Sequence, residues 1–152
     1  MRSKSIAILT LVAIVVSMSA ASGCAGPESA PGGSDMAKVD AALEKGPVLV
    51  EFGADWCGWC VKQKPIVENL SHEYAGMTFL QVDVDAEPGL ADAFYVQGIP
   101  QLDIVVKKNA DGTYLYVDDR GRTTTDRYRS RIVGFRERDQ LRPLVDAAIA
   151  AR

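Results

Sequence analysis

The sequence predicts a single α/β domain built around a mixed β-sheet. Three observations carry this reading. A strand, helix, strand succession between Val48 and Val84 requires a parallel pair joined by a right-handed crossover. A turn signal at Asn109-Ala110-Asp111-Gly112 then opens an antiparallel section. The chain has 152 residues, 47% hydrophobic and 24% charged. That suffices for one packed core but not for two large domains, since domains run to roughly 100–150 residues.

The chain begins with a targeting segment. Arg2 and Lys4 form a positive n-region, Ile6 to Val16 an apolar core interrupted only by Thr10, and Ser17 to Gly23 a run of mostly small residues. This apolar core is shorter than the about 20 residues that span a bilayer. Ala21-Ser22-Gly23-Cys24 resembles the lipobox of bacterial lipoproteins, in which cleavage leaves a lipid-bearing Cys as the first residue. The resemblance makes residues 1–23 the signal peptide and Cys24 the lipidation site. Ala21 stands where that pattern prefers Leu, so ordinary cleavage after a small-residue site stays open. Either route places the domain outside the cytoplasm, on the periplasmic or cell-surface side of a bacterial membrane.

Residues 24–34 follow as a Gly-, Pro- and Ser-rich tether that cannot bury apolar surface, and the folded domain occupies residues 35–152. Loss of the leader removes two positive charges, taking the formal charge from −3 to −5. A basic footprint for nucleic acid is absent.

Within the domain, Ser34 or Asp35 is placed to cap a helix from about Met36 to Lys45, stopped by Gly46-Pro47. Val48 to Phe52 reads as a buried strand. A helix starting at Cys57 carries Val61, Ile66 or Val67, Leu70 and Tyr74 on one side, with a kink expected at Pro65. Thr78 to Val84 reads as a strand, Pro88 to Tyr95 as a short helix and Leu102 to Lys107 as the third strand. Thr113 to Val117 and Tyr128 to Val133 read as the antiparallel section. Leu141, Leu144, Val145, Ala148 and Ile149 form the stripe of a closing helix, and Pro143 argues that this helix starts late or bends.

If Cys24 carries lipid, one pair of cysteines remains, Cys57 and Cys60. A bond across two residues closes too small a loop to stabilise much by chain entropy, so the pair is suited to opening and closing rather than stapling. A structural zinc site needs four ligands, and the chain after Cys24 offers only this pair and His72. No metal is expected, and His72 reads as a solvated surface histidine.

The ordered set Glu51-Phe52, Trp56-Cys57-Gly58-Trp59-Cys60, Pro65, Asp83-Val84-Asp85, Gly98-Ile99-Pro100 and Gly134 resembles the thioredoxin family over roughly Val39 to Ala150. The resemblance implies the thioredoxin fold: a central mixed sheet of about four to five strands with helices on both faces. It also implies a thiol–disulfide oxidoreductase acting on protein thiols and disulfides, with the Cys57–Cys60 couple in place of any cofactor. A helix N-terminus favours a thiolate, which makes Cys57 the attacking sulfur. By resemblance Cys60, the more buried, resolves the mixed disulfide.

Pro100 matches the family's cis-proline, which leaves Ile99 free to pair with an extended substrate. Trp56, Gly58 and Trp59 complete the substrate surface. Glu51 matches a buried acid beneath the site and is expected to accept the Cys60 proton, the alternative being an acid that reaches solvent. Gln81 replaces the Lys that often faces this acid, so Glu51 is expected to titrate higher. Trp59 replaces the usual Pro. It restores an N–H that solvates the Cys57 thiolate, giving a more oxidising couple than a typical thioredoxin, or simply offers apolar surface to a substrate, and the two effects are compatible.

Arg120 to Arg142 holds eight Arg against Asp126, Glu137 and Asp139, which reads as a charged edge strand or as a docking surface for an acidic partner or anionic headgroups. The expected partners are therefore protein thiols and disulfides, a membrane redox partner and the membrane itself through Cys24. The alternative function is a lipid-anchored, non-enzymatic binding module that uses the same docking edge.

Overall fold

A computed structural model describes residues 35–152. The expected signal peptide, the expected lipidation site Cys24 and the expected tether lie outside the described residues. Helix α1 (Ala37–Leu43) has Met36 at its N-cap, without a side-chain cap bond, in place of the expected Ser34 or Asp35. It ends before Gly46-Pro47. At Gly46 the chain passes so close to Gly76 that a Cβ would stand 2.2 Å from the Gly76 carbonyl oxygen, so only glycine fits.

Strand β1 (Val48–Gly53) runs parallel to β2 (Thr78–Asp83), with Glu51 opposite Gln81, and antiparallel to β3 (Gln101–Lys108), with Glu51 opposite Leu102. The link from β1 to β2 is α2 (Gly58–Glu73), and α3 (Pro88–Ala93) leads from β2 toward β3. β3 pairs antiparallel with β4 (Tyr114–Val117), which pairs with β5 (Thr123–Thr124); β6 (Ile132–Val133) pairs with the start of β3. The mixed sheet of six strands has the order β2-β1-β3-β4-β5, with β6 beside β3. This is the thioredoxin fold the sequence predicts.

Both faces of the sheet are covered, which is why β1 is a continuous apolar run apart from Glu51. On one face Leu49, Leu102 and Ile104 pack against Val67 and Leu70 of α2 and against Leu141 and Val145 of α5 (Arg138–Ala150). On the other, Val48, Val50, Phe52 and Val105 meet Val39 of α1 and Leu90 of α3. Each of these fully buried aliphatic side chains contributes roughly 1.5–3 kcal/mol by leaving water.

The antiparallel section differs from expectation. Tyr128 to Val133 is not one strand pairing with β4. Asp126 caps a short helix α4 (Arg127–Ser130), its carboxylate accepting from the Arg129 amide at 3.1 Å, and only Ile132–Val133 extends the sheet, along β3. Two further expectations fall to helical geometry. Val61 is 58% exposed, because the buried stripe of α2 runs through Cys60, Gln63, Val67 and Leu70. Ile149 is also exposed. Helix α5 starts early despite Pro143, because Glu137 and Gln140 form a reciprocal capping box that secures its first turn.

The Arg-rich stretch is not a bare charged edge either. Arg122 pairs with Asp118 at 2.7 Å, Arg138 with Glu73 at 2.6 Å, and Arg127 and Arg131 donate to backbone carbonyls.

Candidate active site

Cys57 occupies the N-cap of α2 in extended conformation, and its sulfur accepts the Cys60 amide at 3.1 Å. The two cysteines form a disulfide with Cα atoms 5.2 Å apart. The amide that reaches Cys57 Sγ is thus that of Cys60 and not that of Trp59. Cys57 is the more exposed of the pair, but only by 8% to 4%. The expected contrast between an open and a buried cysteine holds in rank alone.

Around the pair the surface is apolar and open. Trp56 is anchored by its indole N–H, which donates to Asp85 at 2.7 Å, and Asp83 accepts the Asp85 amide at 2.9 Å. The Asp83-Val84-Asp85 segment therefore holds the tryptophan beside the disulfide. Trp59, 57% exposed, stacks at 5.5 Å on Phe135, with Lys62 Nζ 4.4 Å from its ring centroid. Gly58 is exposed.

Opposite lies the Ile99–Pro100 peptide, which is cis. The Ile99 carbonyl oxygen stands 3.8 Å from Cys57 Sγ, and the Gly134 amide donates to the Pro100 carbonyl at 2.8 Å. The structure thus brings Cys57 against Ile99, with Trp56, Gly58 and Trp59 next to Cys57 in the chain and Pro100 following Ile99 across the cis bond.

Glu51 is buried, on the α2 face of β1. Burial pushes its carboxyl up to about 7, with Lys64 and Gln81 opposing the rise. Its Oε2 has no hydrogen-bond partner. The Lys missing from β2 is thus partly replaced by Lys64, one helix over, which sequence comparison position by position does not find. Glu51, Gly53, Cys60, Lys64, Gln81 and Asp83 line one cleft of about 260 Å³, so Glu51 and Cys60 open onto the same space. Gly53 lies close against the pair: a Cβ there would stand 3.1 Å from Cys60 Cβ, so a larger residue would have to displace Cys60 by a few tenths of an ångström.

Gln63 is a site residue the sequence reading missed. Buried three residues after Cys60, it accepts from the Arg136 amide at 2.8 Å and donates to the Arg136 carbonyl at 3.1 Å. It thereby fixes the segment carrying Phe135. Its place on the buried stripe of α2 was the available signal. His72 is exposed. Among the described residues no group of three or more His, Cys, Asp or Glu is placed to share a metal ion.

Comparison with known proteins agrees with this geometry. The thioredoxin family pattern matches residues 35–124. A Staphylococcus aureus thioredoxin is 33% identical, over 72% of this chain and 89% of its own. The H-type thioredoxin of Chlamydomonas reinhardtii is 45% identical over 40% of this chain, and the chain spans 59% of that relative's length. The solved structure of Trichomonas vaginalis thioredoxin superposes with a TM-score of 0.55 at 31% identity, covering 74% of this chain and 87% of the other.

Proposed function

The chain belongs to the thioredoxin family, and from that premise we propose that it is a thiol–disulfide oxidoreductase acting on protein substrates outside the cytoplasm. The observation that carries the proposal is the placement of Cys57 Sγ. It sits at a helix N-terminus, receives the Cys60 N–H and faces the Ile99 edge at 3.8 Å. A thiolate formed there is stabilised by the amide and the helix end.

In the reducing direction, the Cys57 thiolate attacks one sulfur of a substrate disulfide. A mixed disulfide forms and the other substrate sulfur leaves as thiolate. Cys60 then loses its proton to the Glu51 carboxylate and attacks Cys57 Sγ, so the Cys57–Cys60 bond forms and the second substrate thiolate departs. The substrate gains two electrons and the chain's dithiol loses two; the reverse sequence oxidises a substrate dithiol. Glu51, held near 7 by burial, is poised to take and return that proton near neutral pH. Trp56, Gly58, Trp59 and Ile99 form the surface on which an extended substrate lies.

The pattern of residues 1–24 supports a lipoprotein anchored through Cys24, exchanging electrons with a membrane redox partner. Incorporation of labelled palmitate into the expressed protein, lost in Cys24→Ser, tests the anchor separately from the chemistry. For the chemistry, Cys60→Ala should accumulate mixed disulfides on Cys57 that Cys57→Ser does not form. Partner capture that survives in a variant lacking both cysteines would make the protein a binding module instead.

A further inference from the structure

Three successive backbone carbonyls at the end of α3 are each held by a side chain from a distant element. Ala93 O accepts from Arg127 Nη1 at 2.6 Å, Phe94 O from Gln101 Nε2 at 3.1 Å, and Tyr95 O from Arg131 Nη1 at 2.7 Å. Ala93 O, the last carbonyl of α3, carries the partial negative charge of a helix C-terminus, which the Arg127 guanidinium complements. The next residues, Val96 to Pro100, form the irregular loop that ends at the substrate edge.

Both ends of that loop are gripped by the same stretch of chain. Arg127 and Arg131 hold its start. Directly after them β6 runs along Gln101 and Leu102, and the Gly134 amide bonds Pro100 O at 2.8 Å. Gln101, immediately after Pro100, reaches back to Phe94 and is itself oriented by buried Asp103, whose Oδ2 accepts from Gln101 Nε2 at 2.8 Å.

Tyr95 stands at φ 52, a left-handed conformation that a bulky residue adopts only when its surroundings hold it there. Its ring meets Tyr128 of α4 edge-on at 6.1 Å, and Arg131 lies 3.7 Å over Tyr128. Arg127 is anchored in turn by Tyr116 Oη, and its guanidinium lies over Phe94, Tyr114 and Tyr116.

We propose that Arg127, Arg131 and Gln101 are positioning residues that set the Ile99–Pro100 edge for capture of polypeptide disulfides, α4 serving as the bracket that carries the two arginines. The proposal rests on the oxidoreductase reading and adds to it a control on substrate docking. None of the three touches the reacting sulfurs. Their effect is on the chain Cys57 must meet, not on Cys57 itself. A small disulfide, too short to pair with the Ile99 edge, bypasses this control.

The experiment compares reduction of insulin by the full chain, dithiothreitol supplying electrons, with single-turnover reduction of a small aromatic disulfide by the pre-reduced full chain freed of dithiothreitol, which would otherwise reduce that disulfide directly. Arg131→Met, at a half-exposed position where folding is least at risk, should raise KM for insulin about tenfold with little change in kcat, and leave the small disulfide unaffected. Arg131→Lys keeps one donor for Tyr95 O and should recover part of the loss. Arg127→Lys should behave like Arg131→Lys, since an ammonium reaches either Ala93 O or Tyr116 Oη.

An unchanged insulin KM in Arg131→Met would overturn the proposal. So would equal slowing with both substrates, the result expected of a helix cap that only stabilises the fold. Inactivity of the unmodified protein toward both substrates would instead overturn the oxidoreductase reading, and this inference with it.

Discussion

The backbone N–H of Cys60 points at the sulfur of Cys57, 3.1 Å away, so the second cysteine assists the first before it ever attacks. A hydrogen bond to an ionised sulfur is stronger than one to a neutral group, and the helix N-terminus adds to it. In the reduced protein Cys57 should therefore alkylate about tenfold faster at neutral pH than free cysteine, with Cys60 lagging. Mass-spectrometric counting of iodoacetamide adducts at each position checks this. Equal rates at the two positions would remove the basis for casting Cys57 as the attacking group.

Glu51 supplies the second prediction. With its carboxyl pushed up to about 7 by burial, turnover limited by Cys60 deprotonation should rise with pH as the carboxylate forms and level off above neutrality. Glu51→Gln cannot take a proton, so it should lose that inflection and at least about tenfold in the rate of mixed-disulfide resolution. Lys64 opposes the upward shift of Glu51, so Lys64→Gln should move the inflection to higher pH. A profile identical in Glu51→Gln would show that another base serves Cys60.

Stability should also depend on pH, and in the direction opposite to a salt-bridged carboxylate. Burial raises both Glu51 and Asp103 to about 7, with Gln101, Arg127 and Arg131 only partly offsetting the rise at Asp103. A group whose pKa is higher folded than unfolded binds its proton more tightly in the native state. Its stabilisation is complete below the unfolded value near 4 and is lost as pH climbs through 7. For Glu51 alone the change is on the order of 3 kcal/mol. Urea midpoints of the oxidised protein should fall from pH 4 to pH 8, and Glu51→Gln with Asp103→Asn should flatten the curve. A midpoint that rises over this interval would contradict both assignments.

Much of this site is legible in the sequence because its chemistry demands particular residues at short spacing. Cys57 and Cys60 flank a helix start, Glu51 precedes them on the adjoining strand, and Pro100 opens the next strand on the far side. What stays hidden depends on contacts between distant positions. Tyr128, Ser130 and Ile132 alternate as a strand would, yet Asp126 caps a helical turn there, and the pairing partner of Ile132 is decided by the start of β3. Lys64 compensates for Gln81 only once α2 lies over β2. Asp103 sits in a strand where apolar residues were expected, and its tolerance there comes from Gln101, two residues earlier on the same face.

Gln63 links the redox helix to the aromatic surface and gives the last prediction. Its amide makes two bonds to the backbone of Arg136, one through each end, and the neighbouring Phe135 carries the Trp59 indole at 5.5 Å. Gln63→Leu keeps the apolar volume of the stripe but leaves the Arg136 N–H and C=O unpaired, at a cost of about 1–3 kcal/mol. The Phe135 segment should then loosen and Trp59 become wetter. In a Trp56→Phe background, where Trp59 is the sole indole, its emission should shift to the red and be quenched more readily by acrylamide. Gln63→Glu retains the acceptor for the Arg136 amide but loses the donor, so its emission should fall between the two. Thermal unfolding of the same proteins gives the energetic ranking independently. Should Gln63→Leu unfold at the same temperature with unchanged emission, Arg136 would not depend on Gln63 and the Phe135 platform would be held from elsewhere.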